Sequence, residues 1–289
     1  MTDGKKIPKL IGLIAGEGDF PVLLAHGARS SGVRVIAFGI NGLASDRLAP
    51  PLTEGMHTLK LTDLSRLFEL CHQHGIEHLI MAGRVPHKVL LRQISLDSRV
   101  LKLLGNLRNK KADSLLKAAV QEIEAEGIKV LDSTLFLKSC MPEEGILTPG
   151  FPLSEEIRRD MMFGYPIAKE IARLDIGQTI AVKNQIVVAV EGVEGTDALI
   201  RRAGELAGPG VVIVKVSKPR QDLRFDVPVI GIKTIRSLME ANAGGICITA
   251  GESLFFDREE SVAKAEAEGI SILAYRETGT ETPYEEALR

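Results

Sequence analysis

The chain has 289 residues, 45% of them hydrophobic, which is enough apolar material for two buried cores. Three cysteines without CxxC spacing (Cys71, Cys140, Cys247) exclude a disulfide framework and a thiolate metal site and point to a reducing compartment. No apolar run reaches the roughly 20 residues that span a bilayer, and the polar, basic start at Met1–Lys9 lacks a signal-peptide core, so a cytoplasmic protein is expected.

Leu10 to Ala15 is an apolar run ending at Gly16, followed by helical spacing through Phe20, Leu23, Leu24 and Ala28: strand, glycine turn, helix. Val33–Phe38 reads as the next strand, Leu61–His74 as an amphipathic helix with Thr62 as its cap, and His78–Ala82 as a third strand ending at Gly83. A long helical region from Val85 to Leu107, a helix over Ala112–Glu126 and a strand over Ile128–Leu131 complete a Rossmann-like parallel α/β domain closing near residue 133. Proline and glycine crowd Ser139–Pro152, which places a linker region at 134–166. A helix over Ser154–Ala172, capped by Ser154, leads into the second domain, taken as 167–289. There, Thr179–Val182 and Ile186–Val190 are close enough for a hairpin. Strands at Val211–Val216, Ile246–Thr249 and Ile270–Ala274 alternate with helices at Thr196–Leu206, Thr234–Asn242 and Arg258–Glu268, so this domain is a mixed α/β sheet. The polar 276–289 tail has few apolar anchors.

Net charge is only −2, yet Arg84 to Lys111 carries eight Lys/Arg against the single acid Asp97. Such a segment suits phosphate or an anionic membrane surface. Within it an apolar stripe from Leu90 to Leu107, flanked by Arg92, Arg99, Lys102 and Arg108, is either core or a place for acyl chains and headgroups. Gly16-Glu17-Gly18, after a strand and before a helix, stands where backbone N–H groups receive an anion. Pro21 replaces the third glycine of a dinucleotide fingerprint and no acid ends the second strand, which disfavours a nicotinamide oxidoreductase. Gly83 and Arg84 follow the third strand, at the carboxyl edge where open α/β sheets bind ligands. The spacing of His72, His74 and His78 aims neighbours apart and argues against a histidine metal cluster.

Chemistry-bearing residues concentrate between 175 and 236: Asp175-Ile-Gly-Gln178, Glu191-Gly-Val-Glu194-Gly-Thr196-Asp197, and Lys215 to Pro228 with Lys218, Gln221, Asp222, Arg224 and Asp226. If Asp222–Asp226 is extended, Asp222, Arg224 and Asp226 share one face. Carboxylates of that kind hold Mg²⁺ or accept a proton from attacking water, while the cations offset phosphate charge.

On the opening Gly12–Gly18 with Pro21, the Leu174–Gln178 run, the EGTD string at 194–197 and the Lys218–Gly231 string with Thr234-Ile235, the chain resembles the LpxI family of UDP-2,3-diacylglucosamine pyrophosphatases over nearly its whole length. The resemblance implies a two-domain, homodimeric, divalent-metal enzyme of lipid A synthesis. Such an enzyme cleaves an acylated UDP-sugar to UMP and diacylglucosamine 1-phosphate. It works in the cytoplasm with transient contact at the inner membrane surface and has no nucleic acid partner. It puts the essential aspartate at Asp226. Asp222 and Asp197 are further candidate ligands for Mg²⁺ or Mn²⁺, and Gly16, Glu17, Gly18, Gly83, Arg84, Asp113, Gln178, Thr196, Lys215, Lys218, Gln221 and Arg224 are candidate substrate contacts. The run Lys110-Lys-Ala-Asp113 departs from the family, which commonly has two adjacent acids there. The first domain is expected to grip the diphosphate and the second to present Asp226. A non-catalytic carrier of acylated UDP-sugars is the competing reading.

Overall fold

The computed structural model describes residues 7–86, 112–219 and 221–277, with the side chains of 112 and 113 left out. The expected helix over Val85–Leu107, its apolar and basic stripe and the 278–289 tail lie outside the described residues. The chain forms two compact units, one of residues 1–137 with 223–225, the other of residues 138–222 with 226–289. The region expected as a linker is thus divided, residues 134–137 going to the first unit and 138–166 to the second.

The first unit carries β1 (Leu10–Ala15), β2 (Arg34–Ile40), β3 (Gly55–Leu59), β4 (His78–Ala82) and β5 (Lys129–Val130) in the order β3-β2-β1-β4-β5, all parallel. Helices α1 (Phe20–Ser30), α2 (Leu64–His74) and α3 (Ala112–Ala125) connect them. β1 reads as a nearly unbroken apolar run because a central parallel strand is covered on both faces. At its Gly12, a Cβ would lie 2.5 Å from Leu79 and 2.7 Å from the Phe38 ring, so only glycine lets those side chains close over the strand. Phe38, Leu67, Phe68, Cys71, Leu79, Val120 and Ile123 form the core beneath α2 and α3, each large side chain contributing about 1.5–3 kcal/mol by burial. Thr62 is not the α2 cap: Asp63 stands there, without a side-chain cap bond, and the Thr62 hydroxyl is buried with no hydrogen-bond partner among the described residues. Strand order reverses around β1, so the turns after β1 and β4 share the switch point of the sheet.

In the second unit, β6 (Gly145–Ile146), β7 (Thr179–Lys183), β8 (Ile186–Val190), β9 (Val212–Lys215), β11 (Gly245–Thr249) and β13 (Ser271–Tyr275) form a mixed sheet in the order β6-β13-β11-β9-β7-β8. β9, β11 and β13 run parallel, whereas β6, β7 and β8 pair antiparallel with their neighbours. A short parallel pair, β10 (Val229–Ile230) with β12 (Leu254–Phe255), stands apart. Helix α4 (Glu155–Arg173) covers one face through Met161, Tyr165, Ala168 and Ala172. Ser154 caps it as expected, its hydroxyl accepting from Ile157 N at 3.3 Å. Helices α5 (Thr196–Ala207), α6 (Ile232–Glu240) and α7 (Arg258–Ala267) cover the other face through Leu199, Ile200, Ile235, Leu238 and Ala265. The expected β7–β8 hairpin is present. Its turn residues Asn184 and Gln185 are both left-handed (φ 52° and 58°), and the buried Asp160 carboxylate accepts from both their amides at 2.9 and 2.6 Å.

Candidate active site

The loop between α4 and β7 brings the first pieces together. Asp175 leaves the helix in the left-handed region (φ 59°), and Gly177 follows where a Cβ would lie 2.1 Å from Glu191 O, so the chain passes there only as glycine. Gln178 N then donates to the Glu191 carboxylate at 3.3 Å, and Gln178 O accepts from Val216 N at 2.9 Å. These bonds aim the Gln178 amide at Asp226, whose two carboxylate oxygens it meets at 3.2 and 3.1 Å. The other end of that amide, Oε1, is buried with no hydrogen-bond partner among the described residues.

Lys218, three residues beyond β9, stands between two carboxylates: Nζ is 2.9 Å from Asp175 Oδ1 and 3.1 Å from Asp226 Oδ2. Partial burial lowers the Lys218 pKa, but Asp226 first and then Asp175 outweigh it and hold the ammonium above its ordinary value. Gln221 braces the pair from behind, accepting from Lys218 N at 2.5 Å and donating to the Asp226 carbonyl. Beside them Lys215 and Glu191, each 9% exposed, meet through Thr196, whose hydroxyl accepts from Lys215 at 2.7 Å and donates to Glu191 at 3.0 Å. Asp226, Gln178, Lys218, Gln221, Thr196 and Lys215 therefore converge in the second unit. Asp175 and Glu191, absent from the expected set, join them, and the only sequence signal for them was their place in the DIGQ run and at the end of β8.

The stretch from Asp222 to Asp226 is not extended as expected. Asp226 N donates to Asp222 O at 3.1 Å and closes a turn, so Asp222, Arg224 and Asp226 do not share a face. Arg224 lies instead 3.1 Å from Glu124 within the first unit, where Ser133 N donates to Leu223 O at 2.9 Å and Phe225 packs on the core. Asp197 is exposed in the first turn of α5. Among the described residues no three His, Cys, Asp or Glu side chains converge as a metal site requires, and the Asp197–Asp222–Asp226 set is not assembled. Hard oxygens at the site include those of Asp226 and Gln178 Oε1, which has no hydrogen-bond partner among the described residues, an arrangement that suits a cation taking one or two carboxylates and completing its shell with phosphate and water.

In the first unit the glycine turn and Arg84 also come together. Glu17 and Arg84 form an isolated antiparallel bridge, and a Cβ at Gly16 would lie 2.7 Å from Arg84 O. Gly83 (φ 92°) is equally tight, its Cβ meeting Gly16 at 2.8 Å. The amides of Gly16 and Glu17 already donate to Ala82 O and Arg84 O at 2.8 Å, so those two are not the anion donors the turn was expected to offer. Arg84 pairs with Glu17 at 3.2 Å in an exposed contact, a type worth about 0–1 kcal/mol, from which a phosphate can draw it. Asp113 begins α3, its side chain outside the described part.

The LpxI N-terminal domain matches residues 10–140 and the LpxI C-terminal domain residues 143–273. The UDP-2,3-diacylglucosamine pyrophosphatase LpxI of Caulobacter vibrioides is 32% identical over 276 residues, 91% of this chain and 96% of that protein. The chain belongs to the LpxI family. Solved structures resemble this LpxI-family chain only distantly. The Bordetella bronchiseptica enzyme WbmG in complex with NAD and UDP has a TM-score of 0.26 at 12% identity, over 41% of this chain and 34% of that one. The Hydrogenobacter thermophilus 2-oxoglutarate carboxylase biotin carboxylase domain reaches 0.27 at 11% identity, over 69% and 41%. Likenesses of that size carry no argument.

Proposed function

We propose that this chain, like the UDP-2,3-diacylglucosamine pyrophosphatase it resembles from Caulobacter vibrioides, hydrolyses the pyrophosphate of UDP-2,3-diacylglucosamine, and that it releases 2,3-diacylglucosamine 1-phosphate and UMP. The observation that carries the reading is the meeting of Asp226 with Lys218 and Gln178 in the second unit. Water adds to a phosphorus, the bridging P–O bond breaks towards the other phosphoryl group, and the water's proton is taken up. Asp226 is the group that orients this water and receives the proton, a role worth about 100- to 10,000-fold in rate. Gln178 and Lys218 hold the carboxylate in place. On substrate binding, Lys218 and Lys215 stabilise the charge that develops on the phosphoryl oxygens. A divalent cation, Mg²⁺ or Mn²⁺, held by Asp226 and the Gln178 amide oxygen, supplies further neutralisation of the diphosphate when bound. In the first unit, Arg84 exchanges Glu17 for a phosphate at the Gly16–Gly18 turn. The chain works in the cytoplasm as a homodimer in transient contact with the inner membrane, where its diacylated substrate and product reside. Among the described residues no helix is long and apolar enough to cross a membrane.

Incubation of radiolabelled UDP-2,3-diacylglucosamine with the protein and Mg²⁺ or Mn²⁺, resolved by thin-layer chromatography, tests the proposal. The expected outcome is appearance of UMP and the diacylated sugar phosphate, with loss of turnover in EDTA and recovery on adding metal back. Binding of the substrate without any UMP would make the protein a carrier. Undiminished turnover in EDTA would remove the metal from the account.

A further inference from the structure

Lys218 is useful only if its backbone holds still, and one network centred on the buried Ser217 accounts for that. The peptide unit joining Ser217 to Lys218 is gripped at both polar atoms. Its N–H donates to Gln221 Oε1, and its carbonyl, Ser217 O, accepts from Lys169 Nζ at 3.0 Å. The same ammonium lies 3.0 Å from the Ser217 hydroxyl, which in turn donates to Glu252. Ser217 N donates to the Thr249 hydroxyl at 3.1 Å, and that hydroxyl also meets Tyr165 OH at 3.1 Å. Ser217 is wholly buried, so this is an internal brace and not a surface nucleophile. Lys169 lies 5.7 Å over the Tyr165 ring on α4, the same helix that delivers Asp175 to the other side of Lys218.

We propose that Lys169 is a positioning residue: by holding the Ser217 carbonyl and hydroxyl to α4, it sets the Lys218 ammonium between Asp175 and Asp226. The inference rests on the hydrolytic reading above for its effect on rate, but the placement itself is independent of it. Lys169 bonds to the carbonyl and hydroxyl of Ser217 and so acts on the peptide that carries Lys218. Displacement of a reacting group by about 1 Å can cost about 100-fold in rate.

The test uses the full chain. Lys169→Met removes the donor at similar length, and Lys169→Arg restores one. In the hydrolysis assay Lys169→Met is expected to lower kcat about 10- to 100-fold, with KM within about threefold of wild type, while Lys169→Arg recovers most of the loss. Ser217→Ala, which leaves the carbonyl contact intact, is expected to cost less than Lys169→Met. Backbone amide hydrogen exchange on ¹⁵N-labelled protein reads the placement without reference to activity: exchange at Lys218 N should accelerate at least about tenfold in Lys169→Met, while Val216 N, held by Gln178 O, stays protected. If Lys169→Met does not fold, Lys169→Gln, which keeps a polar head but cannot reach Ser217, takes its place with the same expectations. A folded variant with unchanged kcat and unchanged Lys218 exchange overturns the proposal, as does equal impairment of the Met and Arg variants. A change in Lys218 exchange in a protein that never yields UMP would instead overturn the hydrolytic reading and leave the positioning role standing.

Discussion

At the scale of single residues, the site depends on a few positions where chemistry and backbone geometry admit one side chain. Gly177 is one, because Glu191 O, just past β8, lies where a Cβ would stand. Gly177→Ala should lower stability by about 1–3 kcal/mol through forced backbone movement, and it should also cut hydrolysis by displacing Gln178, measured by thermal melts and the chromatographic assay together. Unchanged melting and turnover would show that the loop yields freely. Lys218 is another. Lys218→Met leaves Asp175 and Asp226 facing each other without the cation that joins them, and kcat is expected to fall about 100-fold or more. The strings EGTD and KPRQD, with Asp226 four residues after Asp222, announced most of these positions in the sequence. Asp175 and Glu191 stood within the chemistry-bearing runs but drew no site role, and Lys169 drew no notice at all, since an acid after a helix or a lysine within one is ordinary until a fold brings a partner to it.

The elements themselves were largely readable, and where they were not the cause is local. β1, β4, β8 and the α4 cap fall where apolar runs, glycine stops and Ser154 place them. β3 was missed because Gly55-Met-His-Thr-Leu59 has neither alternation nor an apolar run, its strand character coming from pairing with β2. The two-residue strands β6, β10 and β12 are too short to leave any pattern. β3 also carries a pH-sensitive contact. His57 Nε2 lies 3.0 Å from His74 Nε2 at the end of α2, and burial, then His74 and Arg66, lower the His57 pKa from its ordinary 6.5. A base whose folded pKa is depressed contributes its full stability above 6.5 and loses it as pH falls from there through the folded value. Melting temperature should therefore decline below pH 6.5, and His57→Gln should flatten that decline; an identical slope in the variant would assign the effect elsewhere. At the β7–β8 hairpin, Asp160→Ala removes a buried carboxylate from two turn amides and should cost about 1.5–3 kcal/mol, read by denaturant unfolding.

At the scale of the whole molecule, two α/β units with separate cores were evident from the βαβ rhythm and from the change of pattern after residue 133. The assignment of residues 223–225 to the first unit was not, because a pattern of alternating charges reads as an extended strand. In the structure that tripeptide is a turn whose Leu223, Arg224 and Phe225 are each held by residues of the first unit. The account as a whole stands on Asp226 as the group that directs water to the diphosphate. The most direct test is the turnover of UDP-2,3-diacylglucosamine by Asp226→Asn and Asp226→Ala proteins with wild-type melting temperatures. The account predicts that both keep less than a hundredth of wild-type hydrolysis, a loss on the order of 100-fold or more. Either variant retaining more than about a tenth of wild-type UMP release, against the 100- to 10,000-fold that such a group contributes, would contradict it.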